Sequence, residues 1–493
     1  MQEHPSDSSV NTPAPGANTS SSGTNAPTLA RHMGLGALIV YGVGDMLGAG
    51  IYGLIGKWAG TMGNAIWIAF LASMVAALLT GLSYASLGSR YPRAAGAAYI
   101  THRAFVRPML SYVVGLAVVA SGLTSMATQS RAFSGYFVGL LGQRPPGPAP
   151  AAVASAPMLP EASLVIYIGL ILAFILTLTF INFWGIREAT WLNILCTCVE
   201  AAGLLIVVAV GFRYWGSINY FEVPAAPPGQ PESGGVSGLA GTLTVALVLQ
   251  GAVLTFYSFI GFEDMINVTE EVKDPRRNFP IAVMAALGIT AVVYTAVSIT
   301  AVSVIHYSEL KASGQPLVDV VMRAAPGFPK EMFSLISLFA ITNTALLNYI
   351  MGSRVVYGMA QQGFVPRVLG TVHPARRTPH YAILCLMVIV TVLALGGDIR
   401  QLASATSVLL LCVFIIVNAA LIVLKRRPGE PPGAFEVPTA VPVGGILVCA
   451  AMLRHADPTA WKIAAGLLAG IAVLYFMARP KNITEETLAE IID

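Results

Sequence analysis

Apolar residues run along this chain in long blocks, with polar residues gathered between them. Counting blocks of about 20 residues, the length that crosses roughly 30 Å of hydrocarbon, gives twelve. They lie at 34–56, 65–88, 108–140, 163–184, 190–214, 241–266, 280–306, 331–360, 380–396, 401–424, 438–454 and 459–478. The pattern predicts an all-α polytopic membrane protein with twelve transmembrane helices. The third and eighth blocks are the longest and must tilt or project beyond the bilayer. Residues 1–30 are rich in Ser, Thr, Pro, Asn and Gly and contain no apolar core, so they read as a disordered cytoplasmic tail and not as a signal peptide. Residues 479–493 read as the C-terminal tail.

Composition agrees with that pattern. Of 493 residues 55% are hydrophobic and 11% charged, far too apolar for a soluble chain of this size. The five cysteines, at 196, 198, 385, 412 and 449, fall inside apolar blocks and read as small buried hydrophobes, with no disulfide or metal framework. The net charge of +4 comes mainly from short loops, which speaks for orientation in the bilayer and against nucleic acid as a partner. The tails and even-numbered loops carry 17 of the 28 lysines and arginines, the odd loops and adjoining helix ends nine. Basic residues near span ends are retained inside, so both termini are expected in the cytoplasm of a cell-membrane protein.

Two blocks are irregular. The first contains YGVGDMLGAGIYGLIG at 41–56, with six glycines, five of them between 42 and 53, and an aspartate. A helical glycine costs about 1 kcal/mol relative to alanine, which predicts a break near Gly48, Ala49 and Gly50. The alternative use of small residues is close helix packing. The second is LTFYSFIGFEDMINVTEEVKDPRRNFP at 254–280, where Ser258 and Gly261 interrupt an apolar helix just ahead of Glu263 and Asp264. Broken backbone in hydrocarbon is tolerable where it lines a polar cavity or meets a ligand. Two interrupted helices about 210 residues apart, each opening a run of five spans, mark a transporter built of two inverted repeats. The repeats would be 31–214 and 241–424, with 425–478 appended. Exposed N–H groups at one half-helix end attract an anion and freed carbonyls a cation, a match for the zwitterion of an α-amino acid.

At these residues the chain resembles the amino acid, polyamine and organocation (APC) superfamily of permeases. Gly48-Ala49-Gly50-Ile51 is similar to the first-helix motif of that superfamily, and Phe259-Ile260-Gly261-Phe262-Glu263 with Glu270-Glu271-Val272-Lys273-Asp274-Pro275 to its sixth-helix region. SYASLGSRYPRAAGAAYI and RVVYGMAQQGFVPRVLGTVHP extend the likeness, which runs from about residue 33 to 478. The resemblance implies the LeuT-type five-plus-five fold with broken helices 1 and 6. It implies a substrate carboxylate at the N–H groups of Ala49, Gly50 and Ile51, and an ammonium at carbonyls near Met46 and at Phe256 and Phe259. Gly48, Ser258 and Gly261 belong to the same breaks, Tyr257 stands where exchangers cap their substrate with an aromatic, and Glu263 stands at a functional glutamate. One departure concerns the fifth span, where many proton-coupled relatives carry a lysine. Here Asn193 and Thr197 are followed by Glu200.

Ionisable groups at membrane depth cost at least about 2.5 to 3.5 kcal/mol each, so they are functional by default. Asp45, Glu200, Glu263 and Asp264 qualify. Because the fold implied by the resemblance brings the first and fifth spans together, Asp45 and Glu200 are expected to face a common cavity and to serve a coupling H⁺ or Na⁺, whereas Asp264 is expected near the inner water boundary. Thr342, Asn343, Thr344 and Asn348 form a polar cluster in the eighth span, with Asn343 and Thr344 as further candidates for the ion. Ser121 and Gly122 suggest room for substrate in the third. Gly56-Lys57 is followed by Trp58, so there is no P-loop and no sign of an ATP-driven pump. No cofactor is expected. The competing classes are a polyamine or organic amine carrier, a membrane sensor, a channel and a membrane enzyme. The spans lack the polar rings of a channel, and the scattered histidines offer no catalytic cluster. The reading is a secondary active transporter of an amino acid, symporter or exchanger. Oligomeric state stays open.

Overall fold

The computed structural model describes residues 33–91, 96–141, 162–184, 186–224, 243–361, 363–376, 378–396 and 399–478. Both predicted tails lie outside the described residues.

Helix covers part of every predicted block. The order is α1 (Leu35–Leu47), α2 (Ala49–Met62), α3 (Ile66–Arg90), α4 (Gly96–Phe105), α5 (Pro108–Leu140), α6 (Ala162–Trp184), α7 (Ile186–Gly211) and α8 (Val245–Phe256). Then follow α9 (Pro275–Val304), α10 (Tyr307–Ala312), α11 (Pro316–Ala324), α12 (Lys330–Gln361), α13 (His380–Gly396), α14 (Ile399–Arg426), α15 (Ala440–Arg454) and α16 (Pro458–Ala478). Among the described residues nine helical stretches are long and apolar enough to cross a membrane, and Leu35–Leu47, His380–Gly396 and Ala440–Arg454 are shorter apolar helices. The short helices α4, α10 and α11 were not foreseen, because each is too short and too mixed in polarity to stand out from a loop.

Within the bundle α1 lies between α7 and α9, α3 runs along α9 and α8, and α5 runs along α12 and α14. Large apolar side chains also point outward: Val165, Leu176 and Phe180 on α6, Val388 and Val392 on α13, Val473 and Phe476 on α16. Such a surface suits contact with lipid. Cys198 and Cys385 belong to this outer surface, not to the interior where the sequence pattern put them, while Cys196 and Cys449 are buried. Inside, hydroxyls and amides join helices, as in Ser83 donating to Asn418 at 2.6 Å and Thr124 paired with Thr406 at 2.6 Å.

At one end of the bundle the segment between α14 and α15 is fastened to α3 and α4. Arg90 donates to Glu436 at 2.8 Å, and Arg103 and the Tyr91 hydroxyl donate to Glu430 at 2.9 and 2.6 Å. Arg427 donates to the carbonyls of Arg103 and Ala104 at 2.6 and 2.8 Å.

Candidate functional site

The first break falls on one residue. Helix α1 ends at Leu47 and α2 begins at Ala49, with Gly48 between them at φ −59° and ψ −136°. A Cβ at Gly48 would overlap Thr344 Oγ1 and lie 2.7 Å from Thr344 Cβ, so the bend is drawn against α12 in a way that only glycine allows. No side chain caps the start of α2, which leaves the N–H groups of its first turn as donors. The glycines serve packing as well as the break, since a Cβ at Gly44 would collide with Thr197 of α7.

The second break is longer. After α8 comes a 3₁₀ turn, Tyr257–Phe259, then extended Ile260 and Gly261 at φ +126°, then 3₁₀ helix Phe262–Glu271. That φ favours glycine, and a Cβ there would sit 3.0 Å from Asp45 Cγ and from its carbonyl. Likewise a Cβ at Gly50 would come 2.7 Å from Ser258 Oγ. The two breaks therefore touch backbone to backbone. Tyr294 of α9, fully buried, donates its hydroxyl to the Met46 carbonyl and, at 3.1 Å, to the Ser258 carbonyl, pinning one break to the other. Sequence reasoning missed Tyr294. Its signal was a tyrosine in mid-span, whose hydroxyl must find a partner when buried.

Between the breaks lies a small cavity. From the expected set it is lined by Asp45, Met46, Gly50, Tyr257, Gly261 and Thr344. Ser125, Gln129, Ile260, Asp264 and Asn348 complete the lining and were not expected there. Ser125 pairs with the Tyr257 hydroxyl at 3.0 Å and accepts from Gln129 at 3.0 Å. The i, i+4 spacing of Ser125 and Gln129 on one face of α5 was the available signal. Phe256 and Phe259 turn their rings into the core, Phe256 onto Phe414 at 5.8 Å and Phe259 onto Tyr294 at 5.5 Å. Ile51 is also fully buried in the core. The side chain of Ala49 lies outside the described residues.

Three expectations need correction. Asp264 is not at the water boundary; it is 4% exposed and lines the cavity. Glu200 is absent from the lining that Asp45 joins. Consecutive helical residues point about 100° apart, so α1 presents Gly44 to α7 and Asp45 to Gly261. Gly122 does not widen the pocket, since a Cβ there would meet Asn348 Oδ1 at 3.3 Å; the missing side chain admits Asn348.

Glu200 belongs to a second group. Asn343 Nδ2 lies 3.1 Å from Glu200 Oε1, 3.2 Å from Thr197 Oγ1 and 3.4 Å from the Gly44 carbonyl, joining α12, α7 and α1. Tyr52 donates to the Glu200 backbone carbonyl at 2.6 Å. Glu200 Oε2 and Asn343 Oδ1 are buried with no hydrogen-bond partner among the described residues. Glu263 acts at the second break, where its Oε2 accepts the Gly261 N–H at 2.9 Å and so stabilises the unwound backbone. With Asp264, Tyr84, Gly96 and Asn267 it lines a second small cavity. Among the described residues no group of three or more His, Cys, Asp or Glu is arranged to hold a metal ion.

An all-helical bundle with a lipid-suited exterior and a polar cavity between two interrupted helices defines a polytopic membrane protein with an internal site. The chain belongs to the amino acid permease family, whose sequence profile matches residues 34–489, and so to the APC superfamily of membrane permeases. It is similar to the branched-chain amino acid permease of Bacillus subtilis, 25% identical over 458 residues, covering 92% of this chain and 94% of the relative. It is 28% identical over 402 residues to cationic amino acid transporter 4 of Mus musculus, covering 80% of this chain and 60% of that one. It is also 24% identical over 475 residues to the methylthioribose transporter of Bacillus subtilis, covering 94% and 96%. These relatives are named for chemically different cargoes, so identity at this level leaves the substrate to be read from the site.

Proposed function

We propose that this permease is a secondary active transporter that moves an amino acid or amine across the cell membrane by alternating access. Its two five-helix halves are related as inverted repeats, and both termini lie in the cytoplasm. The observation that carries the reading is the direct contact of the two breaks around one cavity, with Gly50 against Ser258 and Gly261 against Asp45. The uncapped first turn of α2 supplies N–H groups to a carboxylate from Ala49, Gly50 and Ile51. Carbonyls of the unwound segments around Met46, Phe256 and Phe259 supply acceptors to an ammonium. Tyr257 and Ser258 flank the substrate.

The coupling cation, H⁺ or Na⁺, is assigned to Glu200 with Asn343. Together they stand where α1, α7 and α12 meet and leave acceptor oxygens unsatisfied. A carboxylate in that position can exchange a proton or hold a cation as the helices part. Thr344 transmits occupancy to the first break through its contact with Gly48, Glu263 holds the second break, and Asp45 turns to the substrate cavity instead.

Radiolabelled uptake by purified protein in liposomes tests the proposal, with amino acids and polyamines offered under an inward H⁺ gradient, an inward Na⁺ gradient, or with amino acid inside. Accumulation under one gradient identifies a symporter, and uptake that needs internal substrate identifies an exchanger. Absence of uptake under every condition overturns the proposal.

A further inference from the structure

The cavity between the breaks is provided with acceptors and, among its described lining residues, with no cation. Asp45, Asp264 and Gln129 line it, and each carries a buried oxygen, Oδ2, Oδ1 and Oε1 respectively, without a hydrogen-bond partner among the described residues. Asp45 is 2% exposed, Asp264 4% and Gln129 0%. Among the described residues no lysine, arginine or histidine lines the cavity. The remaining neighbour acid, Glu263, is engaged with the Gly261 N–H, so the free carboxylate oxygens are those of the two aspartates. Buried carboxylates need a cation or protons to offset the loss of water. A zwitterion brings no net charge to them, because its own carboxylate cancels its ammonium.

The rest of the wall bears on which cation the cavity suits. Tyr257 and Ile260 belong to the lining, an aromatic and an aliphatic residue of kinds that suit methylene groups and, at a ring face, an organic cation. Among the described residues Asp264 alone contributes to both this cavity and the second one beside α4, so a cation leaving the first cavity in that direction passes this carboxylate.

We infer that Asp45 and Asp264, with Gln129, form a subsite for a positively charged end group, making the cargo a substrate with an ammonium or guanidinium at the end of an aliphatic chain. The inference deepens the transport reading above and rests on it. Two sources share this chemistry, cationic amino acids and aliphatic diamines. The first also fills the N–H groups of α2 with its carboxylate, and the second leaves them empty.

Binding to the detergent-purified full chain at fixed pH decides the matter, with lysine, arginine, putrescine and leucine as competing probes. The expected result is binding of lysine, arginine or putrescine at least 10-fold tighter than leucine, a difference that Asp45→Asn and Asp264→Asn each reduce by about 10-fold. Lysine ahead of putrescine identifies the amino acid, and the reverse order the diamine. Leucine binding as tightly as the cations, or a cation preference untouched by both substitutions, overturns the subsite while leaving amino acid transport standing. Failure of all four probes to bind overturns the subsite, while the transport reading stands or falls with the uptake assay above. If the Asn variants do not fold, the ranking on the unmodified protein still decides.

Discussion

Gly48 and Thr344 stand so close that a Cβ on the first would overlap the hydroxyl of the second. The break in the first span is thus set against α12, and the hinge has no slack on that side. Gly48→Ala forces Thr344 or the bend to move and is expected to lower substrate affinity by at least ~10-fold, about 1.4 kcal/mol. Because the clash involves both the hydroxyl and the Cβ of Thr344, Thr344→Gly in the same chain should restore part of the loss, whereas two independent sites would add. The four-membered set of binding constants checks it.

Tyr294 reaches both breaks with one hydroxyl. Tyr294→Phe keeps the ring packed on Phe259 but strands two buried carbonyls, a penalty of about 1–3 kcal/mol. Since the carbonyls belong to the two segments that frame the cavity, substrate affinity should fall more than thermal stability does. A ligand titration beside a melting curve separates the two, and an unchanged affinity would remove Tyr294 from the site.

Glu200→Gln retains an oxygen to accept from Asn343, so the contact joining α7 to α12 survives. The variant should fold at least as well as the parent, because a buried carboxylate is replaced by a neutral group of the same shape. Uptake should lose its pH dependence while substrate binding persists. An unaltered pH profile would take proton carriage away from Glu200.

The ionic clasp at the end of the bundle has its own pH signature. Burial by itself would raise the Glu430 carboxyl; hydrogen bonds from Tyr91 and Arg103, with the nearby charge of Arg427, outweigh it and hold the group below its ordinary value of 4.5. A lowered folded-state value stabilises above the unfolded value and is lost as the pH falls through the folded one. Melting temperature should therefore be level near neutrality and decline on acidification below about 4.5. Glu430→Gln should lower the neutral-pH Tm by a few degrees and flatten the acid limb. Scanning Tm from neutral to acid pH in both proteins measures it.

The legible part of this protein follows from one-dimensional signals. Membrane spans depend on run length and apolarity, which no neighbour can alter, so α5 and α13 begin and end at the boundaries the pattern predicted, Pro108–Leu140 and His380–Gly396. Backbone breaks depend on glycine, whose cost in a helix is local, so Gly48 and Gly261 were found where the sequence placed them.

Partnership was not legible in the same way. The periodicity of a helix says which residues share a face, but not which helix that face meets. Asp45 and Glu200 both read as buried acids near the first break, and tertiary packing separated them: Gly44 gives α7 its close approach, leaving Asp45 to Gly261 and the cavity, while Asn343 draws in Glu200 from 143 positions away. Tyr294 meets Met46 across 248 positions. The sequence by itself determined that this is a bundle of membrane helices with two broken segments. Only the tertiary structure decided which polar groups those breaks enclose, because that depends on side chains brought together across hundreds of residues.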